Sequence, residues 1–335
     1  MKRRLFLKHM GTAASALSFG GCAAVKTSKT TYKPADRAPV RTLGKTGIEV
    51  SLLGFGSHLN NTLKKNPRER DRMIKLGFEG GITTFDVYDH GGYEQFKPMS
   101  KSIRDFRKDM ILSLVAVRST EEMQDEIDYA LKTFKTDYID LYRNHRVDDD
   151  RMQIIEKNKQ AGKIRAIGVV SHDGNAMNRY IDDYQNILDY VMIIYNFHHN
   201  MGRPRGGEQW PSNEYPGLIP RCERLGLGII GIKPMGSDDM IALAKQKGYL
   251  EDPSGSISQA MLRYVFTAPE IDCVMPAMNS MNELITNLET TYSPKITPPE
   301  RKRLEVLSSE ADALKGAYLR PHYRWLENWA EIRQV

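Results

Sequence analysis

The amino-acid sequence predicts a single-domain α/β protein, a (β/α)8 TIM barrel. Eight apolar segments of strand length alternate with longer stretches of helical periodicity, and no break in composition separates them. The strands are apolar on both faces, as in parallel sheets that helices cover on each side. The first turn, Gly54-Phe-Gly-Ser-His58, also lacks the GxGxxG pattern of an open dinucleotide-binding sheet, which favours a closed barrel.

Residues 1–22 predict an export signal that lies outside the fold. Arg3-Arg4-Leu-Phe-Leu-Lys matches the twin-arginine signal residue for residue, so we expect export of a folded protein to the periplasm or cell envelope. The segment is too short and too polar for a stable membrane-spanning helix. Phe19-Gly-Gly-Cys22 resembles a lipoprotein box, and a lipid on Cys22 would be the membrane attachment. The alternative is cleavage near Ala24 without a lipid.

Composition divides the rest of the chain into three parts. Residues 23–40 are rich in Lys, Thr, Ser and Pro without periodicity, which predicts a flexible tether. Residues 41–315 form the barrel, and the 41–48 segment predicts a hairpin that closes its bottom. Residues 316–335 predict a C-terminal helical tail that packs on the barrel or closes its pocket.

Charge and cysteine content exclude several classes of protein. The formal net charge is +6, and four of the cations lie in the export signal, so no basic face for nucleic acid remains. Besides Cys22 there are only Cys222 and Cys273, and neither belongs to a CxxC pair. A disulfide scaffold and a four-cysteine metal site are excluded, and we expect two buried thiols.

The predicted strands alternate with amphipathic helices along the barrel. Two helices begin with the capping-box pattern, at Ser119–Glu122 and at Ser280–Glu283. The predicted strands cover residues 52–57, 83–88, 110–117, 138–145, 164–171, 190–197, 228–235 and 273–278.

Polar residues follow the strands at their carboxyl ends, where the active sites of such barrels lie. Of the eight histidines in the chain, six fall at these exits. We therefore predict a working site on this rim, formed from Ser57, His58, Asp86, His90, Arg118, His145, Ser171, His172, Asn196, His198, His199, Lys233 and Asn279.

Several motifs in the same order make the chain resemble the aldo-keto reductases over nearly all of residues 40–290. They are RTLGKTGI (41–48), GITTFD (81–86), DYIDLY (137–142) with His145, GKIRAIG (162–168) and Met275-Pro276. The resemblance implies hydride transfer between a nicotinamide cofactor and a carbonyl. The family uses an Asp, a proton-donating Tyr, a Lys that lowers the pKa of this Tyr, and a His that orients the carbonyl.

Only half of this tetrad is present at the matching positions. Asp86 and His145 match, but Gly91 occupies the Tyr position, and the Lys position falls on Ala116 or its neighbour. Tyr93 and His90 are the candidate proton donors, with Tyr88 as a competitor. Lys233 is the first candidate for the missing cation and Arg118 the second.

The resemblance also implies a cofactor site at the last strands. Its candidate residues are Ser171, Asn196, Lys233, Pro234, Asn279, Ser280, Glu283 and Asn287. Glu283 occupies a position where the family has a partner of the 2′-phosphate. A carboxylate repels that phosphate but accepts a hydrogen bond from a ribose hydroxyl, so NAD is favoured over NADP. The alternative role of Glu283 is the capping box.

The long loop after the sixth strand suggests a small-molecule substrate, such as a sugar or a hydroxy acid. Arg203 and Trp210 in this loop, with His58, are the candidate substrate contacts. A tightly held cofactor, loaded before export, would favour a redox-neutral cycle. Two alternatives stay open. One is a metal-dependent sugar isomerase or lyase with Asp86, His145, His172 and His198 as ligands. The other is a degenerate barrel that binds a ligand without turnover.

Overall fold

The structure is a computed structural model that describes residues 32–56, 66–87, 95–171, 174–198, 215–236, 238–249 and 256–313. The described residues from Lys33 onward belong to one compact unit. The predicted export signal, Cys22 and the C-terminal tail therefore lie outside the described residues. Within the described ranges, no helix combines the length and the apolar character needed to cross a membrane.

A two-stranded hairpin covers the amino-terminal end of the barrel. Strand β1 (Val40–Thr42) pairs antiparallel with β2 (Glu49–Ser51). Leu43 and Ile48 are buried in the same apolar cluster as residues of the barrel interior. At Gly44, where φ is +47°, an added Cβ would lie 2.3 Å from the amide nitrogen of Gly228, so only glycine allows this contact. The predicted closing hairpin is confirmed.

In the described part of the chain, seven parallel strands follow in sequential order and form a nearly closed barrel. Residues 52–56 close the gap: the Gly54 amide donates to the Val274 carbonyl at 2.8 Å, and the Phe55 amide donates to the Thr84 carbonyl at 2.8 Å. The predicted (β/α)8 barrel is confirmed, and seven of the eight predicted strands are present with shorter bounds. The predicted strand at 52–57 forms only isolated bridges, at Leu53, Phe55 and Gly56. The strands are β3 (Thr84–Val87), β4 (Ile111–Ala116), β5 (Ile139–Asn144), β6 (Ile164–Val170), β7 (Tyr190–Ile194), β8 (Gly228–Ile232) and β9 (Cys273–Met275).

Helices surround the barrel, and one of the two predicted capping boxes begins its helix. Ser280 caps the ninth helix by accepting from the Glu283 amide at 3.2 Å. The Ser119 box is wrong, because the third helix begins at Met123 with Glu122 as its cap residue. The helices are α1 (Pro67–Glu79), α2 (Phe96–Ile103), α3 (Met123–Phe134), α4 (Asp149–Gln160), α5 (Gly174–Tyr184), α6 (Tyr215–Leu225), α7 (Asp238–Gln246), α8 (Ile257–Thr267), α9 (Met281–Tyr292) and α10 (Pro298–Ala313).

Alternation along the strands sends side chains either outward to the helices or inward to the barrel axis. On β3, Phe85 and Val87 join the outer apolar cluster, so Asp86 between them faces inward. Cys222 and Cys273 are free and buried, as predicted, and burial raises the pKa of the Cys222 thiol to about 12. Ordered contacts begin before residue 41, because the amide of the buried Ala38 donates to the Gly80 carbonyl at 2.8 Å.

Candidate active site

Three inward-facing polar side chains form a buried cluster on neighbouring strands near the carboxyl edge of the barrel. Asp86 of β3 pairs in register with Ser113 of β4, and Arg143 of β5 pairs with Val115 two positions along. The guanidinium of Arg143 donates two hydrogen bonds to the Asp86 carboxylate, one of them from Nη2 to Oδ2 at 2.9 Å. Ser113 Oγ donates to Asp86 Oδ1 at 2.9 Å and accepts from Arg143 Nη1 at 3.0 Å.

This cluster is an ion pair held in fixed geometry. Asp86 is 6% exposed, and Arg143 is 4% exposed. A planar guanidinium that meets a carboxylate with two parallel bonds has little freedom to move, and it keeps its proton at any physiological pH. The barrel therefore holds a permanent positive charge beside Asp86, in a region that excludes water.

Arg143 is the cation that the sequence interpretation missed. The predicted replacements were Lys233 and Arg118, but Arg143 holds Asp86, and Arg118 has an exposed side chain. The signal was present in the sequence. Arg143 is a charged residue inside a buried strand, and it lies two positions before His145, which directly follows this strand. It also pairs in register with Val115, next to Ala116, where the lysine was sought.

His145 follows the last residue of β5 and is half-buried. Its neighbour Asn144 is fixed by Arg151 of α4, whose Nε donates to Asn144 Oδ1 at 3.2 Å. Arg151 also reaches β4, because its Nη1 donates to the Arg118 carbonyl at 3.0 Å. The exits of β4 and β5 are thereby joined beside His145.

A buried tyrosine lies deeper in the barrel. Tyr190 of β7 is fully buried, and its ring occupies the space over Gly168, where an added Cβ would lie 2.2 Å from the ring. Among the described residues, its hydroxyl has no hydrogen-bond partner. Burial raises the pKa of the Tyr190 phenol well above its usual value, while the nearby Arg143 lowers it less. A phenol that is so reluctant to ionise is a poor acid at neutral pH.

Replacing Tyr190 with phenylalanine is therefore expected to leave turnover within about two-fold of the native value. Stability should stay equal or rise slightly, because an unpaired buried hydroxyl costs free energy. Steady-state kinetics and thermal unfolding would measure both. A large loss of turnover at unchanged stability would instead make Tyr190 the proton donor.

The exits of β7 and β8 are tied together by Asn196. Its Oδ1 accepts from the His198 amide at 3.0 Å, and its Nδ2 donates to the Lys233 carbonyl at 3.4 Å. Lys233 adopts a left-handed conformation, with φ at 55°, and buried Pro234 follows it. Both polar groups of the Asn196 side chain thus have hydrogen-bond partners within the protein. Ser171, half-buried, directly follows β6 on the same rim.

The described part of the rim does not favour the metal-dependent alternative. His198 is buried, and its Nδ1 lies 2.6 Å from Ser308 Oγ of α10. Asp86 is already bonded to Arg143. Among the described residues, no group of three His, Cys, Asp or Glu side chains is placed to hold a metal ion. His172, the fourth predicted ligand, lies outside them.

The start of α9 offers polar groups that fit a dinucleotide. Glu283 Oε2 accepts from the Asn279 amide at 2.8 Å, so this carboxylate stays at the helix start. Asn279 Oδ1 is buried and, within the described ranges, lacks a hydrogen-bond partner. An orphaned acceptor suits a ribose hydroxyl, and the carboxylate disfavours a phosphate there. Asn287 of the same helix is buried.

Several predicted site residues lie outside the described residues. They are the proton-donor candidates Tyr93 and His90 with their competitor Tyr88, the substrate candidates His58, Arg203 and Trp210, and the rim residues Ser57 and His199. Their roles stay predictions.

Comparisons with known proteins agree with the barrel fold. The Aldo/keto reductase family model matches residues 52–307. The uncharacterized oxidoreductase YqkF of Bacillus subtilis (strain 168) is 25% identical over 302 residues, covering 79% of this chain and 95% of that protein. The L-galactose dehydrogenase of Arabidopsis thaliana is 22% identical over 292 residues, covering 74% and 86%.

Solved structures show the same fold. The holo form of aldo-keto reductase AKR11C1 from Bacillus halodurans superposes with a TM-score of 0.63 at 20% identity, covering 81% of this chain and 96% of that one. The aldo-keto reductase Tm1743, in complex with the inhibitor epalrestat, gives a TM-score of 0.62 at 22% identity, covering 80% and 99%. Because the family model spans most of the barrel, the chain belongs to the aldo-keto reductase family.

Proposed function

We propose that this family oxidoreductase is exported and transfers hydride between NAD and a small carbonyl or alcohol, with a sugar or a hydroxy acid as substrate. The observation that carries the proposal is the buried cluster of Asp86, Ser113 and Arg143. Arg143 lies two positions before His145, which directly follows the same strand. The cluster supports a fixed cation, Arg143, in the role of the missing tetrad lysine.

In this proposal Arg143 does the electrostatic work of the missing lysine. Its charge stabilises the oxyanion character that develops on the reacting oxygen and favours ionisation of a nearby acid. Asp86 and Ser113 hold the guanidinium so that it needs no reorganisation during the reaction. His145 orients the substrate oxygen, and Tyr93 or His90 exchanges the proton with that oxygen.

The cofactor would be held at the ends of the last strands and the start of α9. Asn279 Oδ1 would accept from a ribose hydroxyl, Lys233 would meet the pyrophosphate, and Pro234, Ser280 and Asn287 would line the cavity. Glu283 would favour NAD, because its carboxylate would repel a 2′-phosphate. The bound nicotinamide supplies or accepts the hydride.

Substrate class and location rest on separate observations. The relative named L-galactose dehydrogenase supports a sugar substrate. Trp210 would stack on a sugar ring, while Arg203 and His58 would bind its polar groups. The twin-arginine sequence supports periplasmic or envelope location, with a lipid on Cys22 as the proposed anchor. Free nicotinamide cofactor is scarce outside the cytoplasm. Tight binding of NAD before export, and a redox-neutral reaction cycle that regenerates it, fit this location.

The test is to purify the full chain from the cell envelope and identify any bound dinucleotide by native mass spectrometry. We expect about one NAD per chain, and stripped protein should bind NAD(H) at least ten-fold more tightly than NADP(H) because of Glu283. Stripped protein that takes up neither dinucleotide would contradict the proposal. Protein that binds NAD but turns over no sugar or hydroxy acid would favour the degenerate ligand-binding barrel.

A further inference from the structure

The two ends of the barrel differ in charge on the side formed by α2, α3 and α4. Each of these helices starts at the carboxyl edge of the sheet and ends at the amino edge, where β4, β5 or β6 begins. The first turns of α3 and α4 carry the exposed acids Asp125, Asp149 and Asp150. The amino edge carries a set of exposed lysines, which we name the basic patch: Lys101, Lys108, Lys132, Lys135 and Lys157.

The basic patch is continuous across neighbouring helices. The Ser100 hydroxyl donates to the Thr133 carbonyl at 2.6 Å, which places the end of α2 beside the end of α3. Lys163, which follows α4, donates from Nζ to Asp128 Oδ1 of α3 at 2.7 Å. The ends of the three helices therefore form one surface.

The acids around the basic patch are bonded to other cations. Asp140 contacts Arg107 and Arg165, and Asp189 contacts Lys159. Among the described residues, no lysine of the basic patch takes part in an ion pair or a side-chain hydrogen bond. Its charges are thus open to a ligand from solution.

The sequence around the basic patch is strongly biased toward positive charge. Residues 101–109, 132–137 and 157–165 contain ten cations and three acids, so this surface stays positive after its ion pairs are counted. The small net charge of the whole barrel argued against a basic face. The structure corrects that interpretation, because the acids that offset these lysines lie at the other edge of the barrel.

Lys135 shows that a cation is present here against the preference of the backbone. It follows α3 with φ at 52°, in the left-handed region that favours glycine. A cation at the end of a helix offsets the helix dipole, but Lys132 already supplies one in the last turn of α3. The dipole therefore does not require a second lysine at residue 135.

The chain joins the barrel at the same edge. The amide of the buried Ala38 donates to the Gly80 carbonyl at 2.8 Å, a few residues before β3 begins. Ten residues separate Cys22 from Lys33 in the sequence, which corresponds to at most about 40 Å of extended chain. The predicted tether of residues 23–40 thus meets the barrel at the edge that carries the basic patch.

We propose that the basic patch binds the anionic headgroups of a phospholipid bilayer, with the amino edge of the barrel against the membrane. The inference rests on the envelope location in the proposed function, but not on the reaction. Lysine stems are long and flexible, and each cation near an anionic surface strengthens binding about five-fold. The acids at the opposite edge would be repelled, so the rim with Asp86 and His145 faces away from the membrane, toward dissolved substrate.

Binding to lipid vesicles tests the proposal, in full-length protein with Cys22→Ser, which removes the proposed lipid. The protein should bind vesicles rich in phosphatidylglycerol but not vesicles of phosphatidylcholine, and high salt should abolish binding by screening. Lys135→Gly should weaken binding about five-fold. The same variant should unfold at the native temperature or higher, because glycine adopts this φ without strain.

A matched pair of double variants locates the effect. Lys132→Gln with Lys157→Gln should weaken binding to the anionic vesicles about 25-fold. Arg68→Gln with Arg72→Gln removes the same charge from exposed positions of α1, outside the basic patch, and should leave affinity within about two-fold of the native value. All variants share the N-terminal segment, so the ratios of their affinities isolate the basic patch.

Acetylation of lysines in the presence of the vesicles gives a readout for each residue. The lysines of the basic patch should be protected, whereas the exposed Lys302 of α10, a helix that pairs with α8 through Glu300 and Arg263, should react as it does without vesicles. Binding through the N-terminal segment alone would leave the basic patch unprotected and would overturn the proposal.

Three further results would contradict the proposal. They are equal binding to both kinds of vesicle, loss of stability in the lysine variants without loss of vesicle affinity, and tighter binding to a DNA duplex than to anionic vesicles. The last would assign the basic patch to another polyanion. Vesicle binding by a protein without turnover supports the basic patch while contradicting the oxidoreductase function, and turnover without vesicle binding does the reverse.

Discussion

Replacing Arg143 with methionine should reduce kcat about 10²- to 10⁴-fold, the range associated with losing one preorganised electrostatic or acid–base group. Methionine keeps much of the side-chain volume but removes the cation that grips Asp86. The variant should also lose about 3–5 kcal/mol of unfolding free energy, because it leaves a buried carboxylate without its partner. Steady-state kinetics and denaturant unfolding measure the two effects separately.

The matched control for this prediction is Arg107→Met. Arg107 is also buried and contacts Asp140 at 3.1 Å, but it bonds to the Tyr138 carbonyl just before β5 begins, at the opposite edge of the barrel. This variant should lose stability while the folded fraction keeps its kcat. If Arg107→Met and Arg143→Met lose kcat equally, the Asp86 cluster is structural and takes no part in the reaction.

Replacing Arg151 with methionine should lower the unfolding free energy by about 2–4 kcal/mol, because it removes the charge-assisted hydrogen bonds to the Asn144 side chain and to the Arg118 carbonyl. The same change loosens the exits of β4 and β5 beside His145. We therefore expect a fall in kcat of about ten-fold or more at temperatures where the variant stays folded, since a small misplacement of a reacting group has a large effect. Arg151 is a positioning residue in this account.

Thermal unfolding and kinetics below the transition measure this second prediction. Arg221→Met is the comparison, because Arg221 pairs with the exposed Asp182 and its loss should change stability by less than about 1 kcal/mol. The positioning role also requires that Arg151→Lys restore part of the lost kcat. If Arg151→Met is as active as native protein below its transition, the link between this arginine and His145 is wrong.

The fold was predictable because the barrel depends on a pattern of many residues. Eight apolar segments and the helices between them identify parallel strands whatever the individual side chains are. The hairpin is a similar case, since Leu43 and Ile48 are apolar residues in a short turn that has only the barrel interior to bury them. Helix starts were less predictable: Ser280 caps its helix, whereas the same pattern at Ser119 precedes a turn.

The site was predictable in part. Strand ends located Asp86 and His145 on one rim, because parallel strands all finish at the same edge. The partner of Asp86 was assigned by residue type and by position in the family pattern, and both criteria missed Arg143. Arg143 pairs in register with Val115, two residues beyond Ser113, which pairs with Asp86. Its side chain is long enough to span this offset, so strand register alone does not locate its charge.

By itself, then, the sequence determined the barrel, its closing hairpin, the rim that carries Asp86 and His145, and the family resemblance. These follow from periodicity and chain order, which are local properties of the sequence. Only the tertiary structure decided that Arg143 bonds to Asp86 and that His198 bonds to Ser308. Those contacts depend on which side chains meet across strands and helices far apart in sequence, and local pattern does not contain that information.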